Sequence, residues 1–176
     1  IITLGNPWWL YGALRFTDLP IPASAVIADA RLNLFCVTFD DALLDIQAEA
    51  STTPAALSSE TPYGISSRTL TTASVQWLDA NMGLNRYVES PNFAAVVQEV
   101  VSLPGWSEGS SDLLVVLKQH PLGLPFYFKP FEAGSDPPQL VVTFSIAGLE
   151  QTITASSASS AASPAVLLPR TLAAPG

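Results

Sequence analysis

The chain has 176 residues, enough for one domain with a hydrophobic core and too few for two. Its net charge of −8 excludes nucleic-acid binding, because that function needs a Lys/Arg surface that neutralises phosphates. Hydrophobic residues make up 48% and charged residues only 12%, but the longest dense apolar run, residues 113–117, is too short for a membrane span. The surface is therefore either covered by other copies, partners or glycans, or made of uncharged Ser, Thr, Ala and Pro.

Short β-branched or aromatic runs, separated by Gly, Pro, Asn and Asp, predict strands along most of the chain. The eight predicted strands are residues 1–4, 8–16, 26–39, 43–49, 74–78, 112–118, 126–131 and 140–146. In the third, Leu32, Leu34 and Cys36 share one face, which is the period-two pattern of a strand with one side inward. This pattern predicts an all-β antiparallel sandwich of the jelly-roll kind. Cys36 is the only cysteine, so no intrachain disulfide forms, and we expect it to be a small buried hydrophobe.

Two segments between the strands do not fit that pattern. Residues 51–74 are rich in Ser, Thr, Ala and Pro, and we expect them to cross the surface, held to the core by Ile65 and Leu70. Residues 91–102 predict a helix of about three turns, since their apolar residues recur at helical spacing. Ser90 is the expected N-cap and Pro91 the first helical residue, and residues 103–105 (Leu-Pro-Gly) end the helix.

The C-terminal part divides the chain into a sandwich domain, residues 1–148, and a tail, residues 149–176. From Ala155 the tail is a Ser/Ala-rich stretch that reads as a flexible linker, because it buries too little apolar surface to offset the entropy of ordering. A short apolar piece follows, too small to fold alone. Its expected subunit-docking residues are Val166, Leu167, Leu168 and Leu172.

Several short sequence motifs occur along the chain, including Ser90-Pro91-Asn92-Phe93 and Pro104-Gly105-Trp106. The others are residues 13–16, 21–22, 27–32, 65–77, 96–101 and 138–142. Together they make residues 10–146 resemble the extracellular jelly-roll modules related to the disaggregatase and DNRLRE families. The resemblance implies an exported, non-catalytic module of surface proteins, with relatives in polysaccharide binding or cell-surface architecture. The chain lacks the acidic turn expected before the last strand, having residues 132–138 there, which weakens any inherited metal site.

Catalytic and metal-binding patterns are weak. The only histidine, His120, precedes Pro121 in a turn-like stretch, and the Gly-x-Ser-x-Gly pattern of a nucleophile elbow does not occur. One Cys and one His cannot complete a zinc site. Asp40, Asp41 and Asp45 could bind calcium but lack the acidic spacing of a known loop, so a solvated turn is the preferred interpretation. We expect no enzyme activity and no cofactor.

Two functions remain. The first is a non-catalytic extracellular subunit that assembles with copies of itself into a filament or surface layer, its terminal segment docking on a neighbouring sandwich. The alternative is a carbohydrate-binding module, with Trp8, Trp9, Tyr11 and Tyr127 as stacking residues. Because successive strand residues alternate faces, half of these aromatics are instead expected in the core or in a subunit contact. The chain does not begin with Met, which predicts a processed mature chain or a fragment.

Overall fold

The structure, a computed structural model, describes residues 2–4, 11–37, 40–57, 65–119, 126–129 and 134–157. These residues form the predicted all-β sandwich of two antiparallel sheets with one short helix. In chain order the elements are β1 Ile2–Leu4, β2 Tyr11–Phe16, β3 Val26–Cys36, β4 Asp40–Ala48, β5 Val75–Met82, β6 Arg86–Glu89, α1 Ala94–Val101, β7 Leu113–Gln119, β8 Phe126–Phe128, β9 Gln139–Ile146 and β10 Leu149–Ser156. No helix of the described part is long and apolar enough to cross a membrane.

Strand β3 is the centre of the six-stranded sheet. Asn33 pairs with Glu89 of β6 and with Gln139 of β9, so β6 and β9 lie on opposite edges of β3. Cys36 likewise pairs with β6 and with Phe128 of β8. Strands β8 and β9 therefore lie on the same edge and form one interrupted strand, with β1 and β10 outside it.

The four-stranded sheet has the order β2-β7-β4-β5. When β8 and β9 are counted as one strand, the larger sheet has the order β1-β8/β9-β3-β6, with β10 added beside β9. These two orders are those of a jelly roll, in which most connections between consecutive strands cross from one sheet to the other; the β4–β5 connection stays within one sheet. The predicted jelly-roll sandwich is thus confirmed, with β6 and β10 present in addition to the strands that the sequence predicts.

The core lies between the sheets, where alternate strand residues point inward. Its largest fully buried side chains include Phe16, Phe93, Phe128 and Phe144. Cys36 is fully buried, as expected. Helix α1 packs against β3 and β4, and its four valines enter the same core. Trp106, just after the helix, is buried and donates its Nε1–H to Ile21 O at 2.7 Å.

Strand β7 is buried on both of its faces, and described residues of the excursion after β4 pack against its outer face. There Ala13, Leu114 and Val116 form a second apolar cluster, against which Ile65 and Leu70 pack. The two residues thus hold the excursion as expected, but on the outer face of the sheet and not in the main core.

Polar contacts clamp both ends of the excursion. Arg68, in its second half, forms an ion pair with Glu49, which precedes the excursion, and donates its Nη2 to Ala55 O near the start at 3.2 Å. At its end, Glu99 of α1 accepts the amides of Thr72 and Ala73, each at 2.8 Å. The Ala73 amide, followed by that of Thr72, holds the pKa of Glu99 below its ordinary value. The segment is therefore anchored to both the sheet and the helix.

The helix begins later than the sequence predicts. It spans Ala94–Val101, and the amide of Ala94 donates to Asn92 Oδ1 at 2.8 Å. Ser90, the predicted N-cap, instead accepts the amide of Leu32 from β3 with its Oγ at 2.9 Å. The N-cap prediction for Ser90 and the helical start at Pro91 are therefore wrong, because the strand edge uses the serine.

The boundary predicted at residues 148/149 also differs from the structure. Residues 149–156 form β10, which pairs with the whole of β9. Ile153 and Ala155 of this strand are buried in the core. The sandwich therefore continues to Ser157, whose amide donates to Pro138 O at 2.9 Å, and a linker can begin only after it.

Candidate functional site

The predicted stacking residues do not form a common surface. Tyr11 shares the outer face of β2 with Ala13 and packs, half-buried, against the second apolar cluster. Tyr127 precedes the core residue Phe128 and so faces outward from the six-stranded sheet. The two tyrosines therefore lie on opposite faces of the sandwich and cannot stack on one sugar. Trp8 and Trp9 lie outside the described residues.

An aromatic group not expected from the sequence lies on the outer face of the six-stranded sheet. Phe35 and Tyr87 meet edge to face, with ring centroids 5.4 Å apart. Lys129 Nζ lies 4.4 Å from the Phe35 centroid and 2.6 Å from Asp136 Oδ2. Burial, followed by the charge of Asp136, raises the pKa of Tyr87. The alternating sequence pattern of β3 predicts that Phe35 faces outward. The strand that carries Tyr87 has only four residues, so the sequence did not predict where Tyr87 lies.

Most described carboxylates are engaged in contacts that hold the fold together. Asp112 pairs with Arg15 at 2.5 Å and accepts the amide of Asp18. Asp29 and Glu89 both pair with Arg31. Within the described residues no group of three or more His, Cys, Asp or Glu side chains could hold a metal ion. His120, Asp40 and Asp41, named above for possible catalysis or calcium binding, have side chains outside the described set.

The two long edges of the six-stranded sheet differ in how their backbone groups are used. Beyond β6, the outer edge of β3 faces the segment that leads into α1. Two of its amides donate to side chains of that segment, Ala30 to Asn92 Oδ1 at 3.0 Å and Leu32 to Ser90 Oγ at 2.9 Å. A third, that of Ile27, donates to Gln98 Oε1 of α1 at 2.8 Å.

The carbonyls of the same edge are also satisfied. Their donors are Gln98 Nε2 for Ala25, Asn92 Nδ2 for Ala28, the Phe93 amide for Ala30 and the Ser90 amide for Leu32. An edge saturated in this way offers no backbone group to another strand. We call it the sealed edge. The segment Ser90-Pro91-Asn92-Phe93 supplies most of the donors and acceptors that bond to the sealed edge.

The opposite edge belongs to β10. Because the amide of Ser157 donates to Pro138 O, the odd-numbered residues of β10 bond to β9 and the even-numbered ones point away. The outward residues are Glu150, Thr152, Thr154 and Ser156, and their backbone groups have no partner within the part of the chain that the structure describes. We call this the open edge.

The open edge also lacks the features that usually protect a strand. Residues 149–156 contain no Lys and no Pro, and Glu150 is their only charge. Leu149 is 50% exposed at one end. At the other end, the buried Ser157 Oγ has no hydrogen-bond partner among the residues that the structure describes. Val166, Leu167, Leu168 and Leu172, the expected docking residues, lie outside the described residues.

Comparison with protein-family models, with curated proteins and with solved structures finds no match for this chain.

Proposed function

We propose that the chain is a non-catalytic structural subunit outside the cell, which assembles with copies of itself into a filament or surface layer. In this proposal, residues 166–172 of one copy dock on the open edge of β10 in the next. The observation that carries it is the contrast between the two edges: the backbone groups of the sealed edge all have partners, and those of the four outward residues of β10 have none within the described residues.

The physics of strand addition supports this arrangement. An added strand satisfies the outward amides and carbonyls of β10, and its side chains cover apolar surface at the margin of the sandwich. Residues 158–165, which lead to the docking segment, can span about 26 Å when extended. A contact between the tail of one copy and the edge of the next is heterologous and does not close on itself, so it produces an open polymer.

The non-catalytic part of the proposal is supported by the use of the charged groups. The carboxylates of Asp112, Glu49 and Glu99 all serve the fold, through ion pairs or backbone amides. The location outside the cell rests on the low charge content and on the resemblance to exported modules.

Deletion of residues 164–176 tests the proposal. We expect the shortened chain to fold, with the same far-ultraviolet circular dichroism, and to sediment as a monomer. Electron microscopy should show polymers only for the full chain. Deletion of residues 173–176 alone is the matched control, since it keeps the apolar segment, and should leave polymers intact. Polymers that survive the longer deletion, or a full chain that stays monomeric, would refute the docking role.

A carbohydrate-binding module is the second candidate. Phe35, Tyr87 and Tyr127 share the outer face of the six-stranded sheet, and Tyr87 is 40% exposed. Glycan binding that Tyr127→Ala abolishes and Tyr11→Ala leaves unchanged would favour this function over assembly.

A further inference from the structure

We infer that the docking segment adds to the open edge as a parallel strand of a second copy, with the amides of Val166, Leu168 and Arg170 facing β10. This inference rests on the proposed function and adds the direction of the docked strand and which of its residues face β10. Its basis is the direction of the backbone groups of β10 together with the position of the prolines in the tail.

The prolines limit which amides can face β10. In a strand, the N–H and C=O of one residue point to the same side, and successive residues alternate sides. If odd residues faced β10, Pro169 would lie in the middle of the contact without an N–H to donate. If even residues face β10, Pro169 points away, where its missing N–H costs nothing. The second arrangement keeps residues 166–172 continuous.

The side chains then decide the direction. Val166, Leu168 and Leu172 are all even and share one face of the segment. In an antiparallel pair, two residues that bond to each other lie opposite one another and share a face. The even tail residues would then lie beside Thr152 and Thr154, on the outer face of the sheet.

In a parallel pair, a residue bonds to the two neighbours of the residue opposite it. The even tail residues then lie opposite odd residues of β10 and share the inner face with Ile153 and Ala155, which are buried. Only the parallel arrangement with even residues toward β10 both buries the three apolar side chains and turns Pro169 outward.

A parallel strand must come from another copy. A tail that folded back on its own β10 would return as an antiparallel hairpin, whereas a parallel return needs a crossover of about a dozen residues or more. Between Ser156 and Val166 lie nine residues, 157–165. They would have to run back along all eight residues of β10, about 26 Å, and also make two turns.

Proline substitution tests the alternation in the full chain. Val166→Pro removes an amide that faces β10, and we expect it to raise the critical concentration for assembly by about tenfold. Thr171→Pro is the matched control, because its amide faces away, and assembly should stay within about twofold of the parent. Val166→Ala separates the loss of side-chain volume from the loss of the amide. Equal effects of the two prolines, or a larger effect of Thr171→Pro, would overturn the inference.

Cross-linking tests the direction and the partner. A parallel strand brings residue 171 to the Ser156 end of β10, and an antiparallel strand brings it to the Glu150 end. In the parallel arrangement Thr171 shares the outer face with the even residues of β10. With a short bismaleimide, the pair Thr171→Cys and Ser156→Cys should form covalent oligomers, and the pair Thr171→Cys and Glu150→Cys should not. The opposite result, links within one chain, or no link in either variant while assembly still needs the tail would overturn the inference. Assembly that persists without residues 164–176 refutes the proposed function itself.

Discussion

At the scale of single residues, the turn between β9 and β10 contains a residue in a strained backbone conformation. Ala147 and Gly148 connect the strands, and both have positive φ, 48° and 83°. A two-residue turn of this geometry matches the twist of the strands and normally contains Asn-Gly. Ala147 therefore carries strain that an L-residue other than Asn or Asp rarely accepts.

We expect Ala147→Asn to raise the free energy of unfolding by about 1 kcal/mol, because Asn adopts this conformation more readily. Gly148→Ala should lower it by about 1 kcal/mol, because it adds a Cβ at positive φ. Urea denaturation measures the free energy of unfolding of both variants. Because the two expected changes have opposite signs, each variant is a control for the other. A loss of stability in Ala147→Asn would show that the turn is not strained as described.

The same turn explains why the sequence did not predict β10. The strongest hairpin signals are Asn-Gly and Asp-Gly, and Ala147-Gly148 is neither. Ser90 is the reverse case, because its sequence position predicts an N-cap but its hydroxyl accepts the amide of Leu32 in β3. At the start of the helix, Asn92 Oδ1 accepts the amide of Ala94. Local preferences cannot tell which of two nearby backbone groups a side chain will reach in the folded chain.

At the scale of elements, the sealed edge depends most on Asn92. Its Oδ1 accepts the amides of Ala30 and Ala94, and its Nδ2 donates to Ala28 O at 3.2 Å. One side chain thus joins the edge of β3 to the start of α1.

We expect Asn92→Ala to lower the free energy of unfolding by about 2 kcal/mol, since it leaves two amides and a carbonyl without partners. It should also promote association through the exposed edge of β3. Asn92→Asp is the control, because it keeps the acceptor and loses only the donor, so its loss should be smaller. Urea denaturation measures stability, and sedimentation in the background lacking residues 164–176 measures association. Equal losses for Ala and Asp would contradict the role of Oδ1.

The elements that the sequence predicted well are those with a long, regular pattern. The alternation of Leu32, Leu34 and Cys36 placed β3 and its inner face, and the valines of α1 placed the helix and its buried side. The short strand β6 has four residues, of which only Val88 is buried, so its period is too brief to recognise. The open edge of β10 was not predictable, because whether an edge is open or sealed depends on its neighbours in the folded sheet.

At the scale of the whole molecule, strands β10 and β1 lie end to end, in one line, along the outer edge of β9 and β8. Gln139 pairs with both Asn33 and Ser156, and Phe128 pairs with both Cys36 and Ile2. Both outer strands run in the direction of β3, since each is antiparallel to its neighbour. Measured along β3, β1 therefore starts three residues after β10 ends, a distance of about 10 Å.

This spacing predicts a specific circular permutant. Joining Ser157 directly to Ile1 puts two residues between Ser156 and Ile2, which is the number that a continuous strand needs to cover three residue steps. New ends between Ala56 and Leu57 lie in an exposed part of the excursion, outside the strands and the helix. The permutant should therefore fold without strain at the new junction.

We expect its free energy of unfolding to lie within about 1 kcal/mol of that of the linear chain ending at Ser157. The matched control joins Ser156 directly to Ile2. One residue step of about 3.8 Å cannot cover the gap, so β1 must leave β8 and stability should fall. Urea denaturation measures stability, and amide hydrogen exchange at Phe126 and Phe128, whose backbone groups face β1, measures the loss of β1 from β8. Equal stability of the two permutants would show that β1 and β10 do not share a line, because only a shared line makes the two added residues necessary.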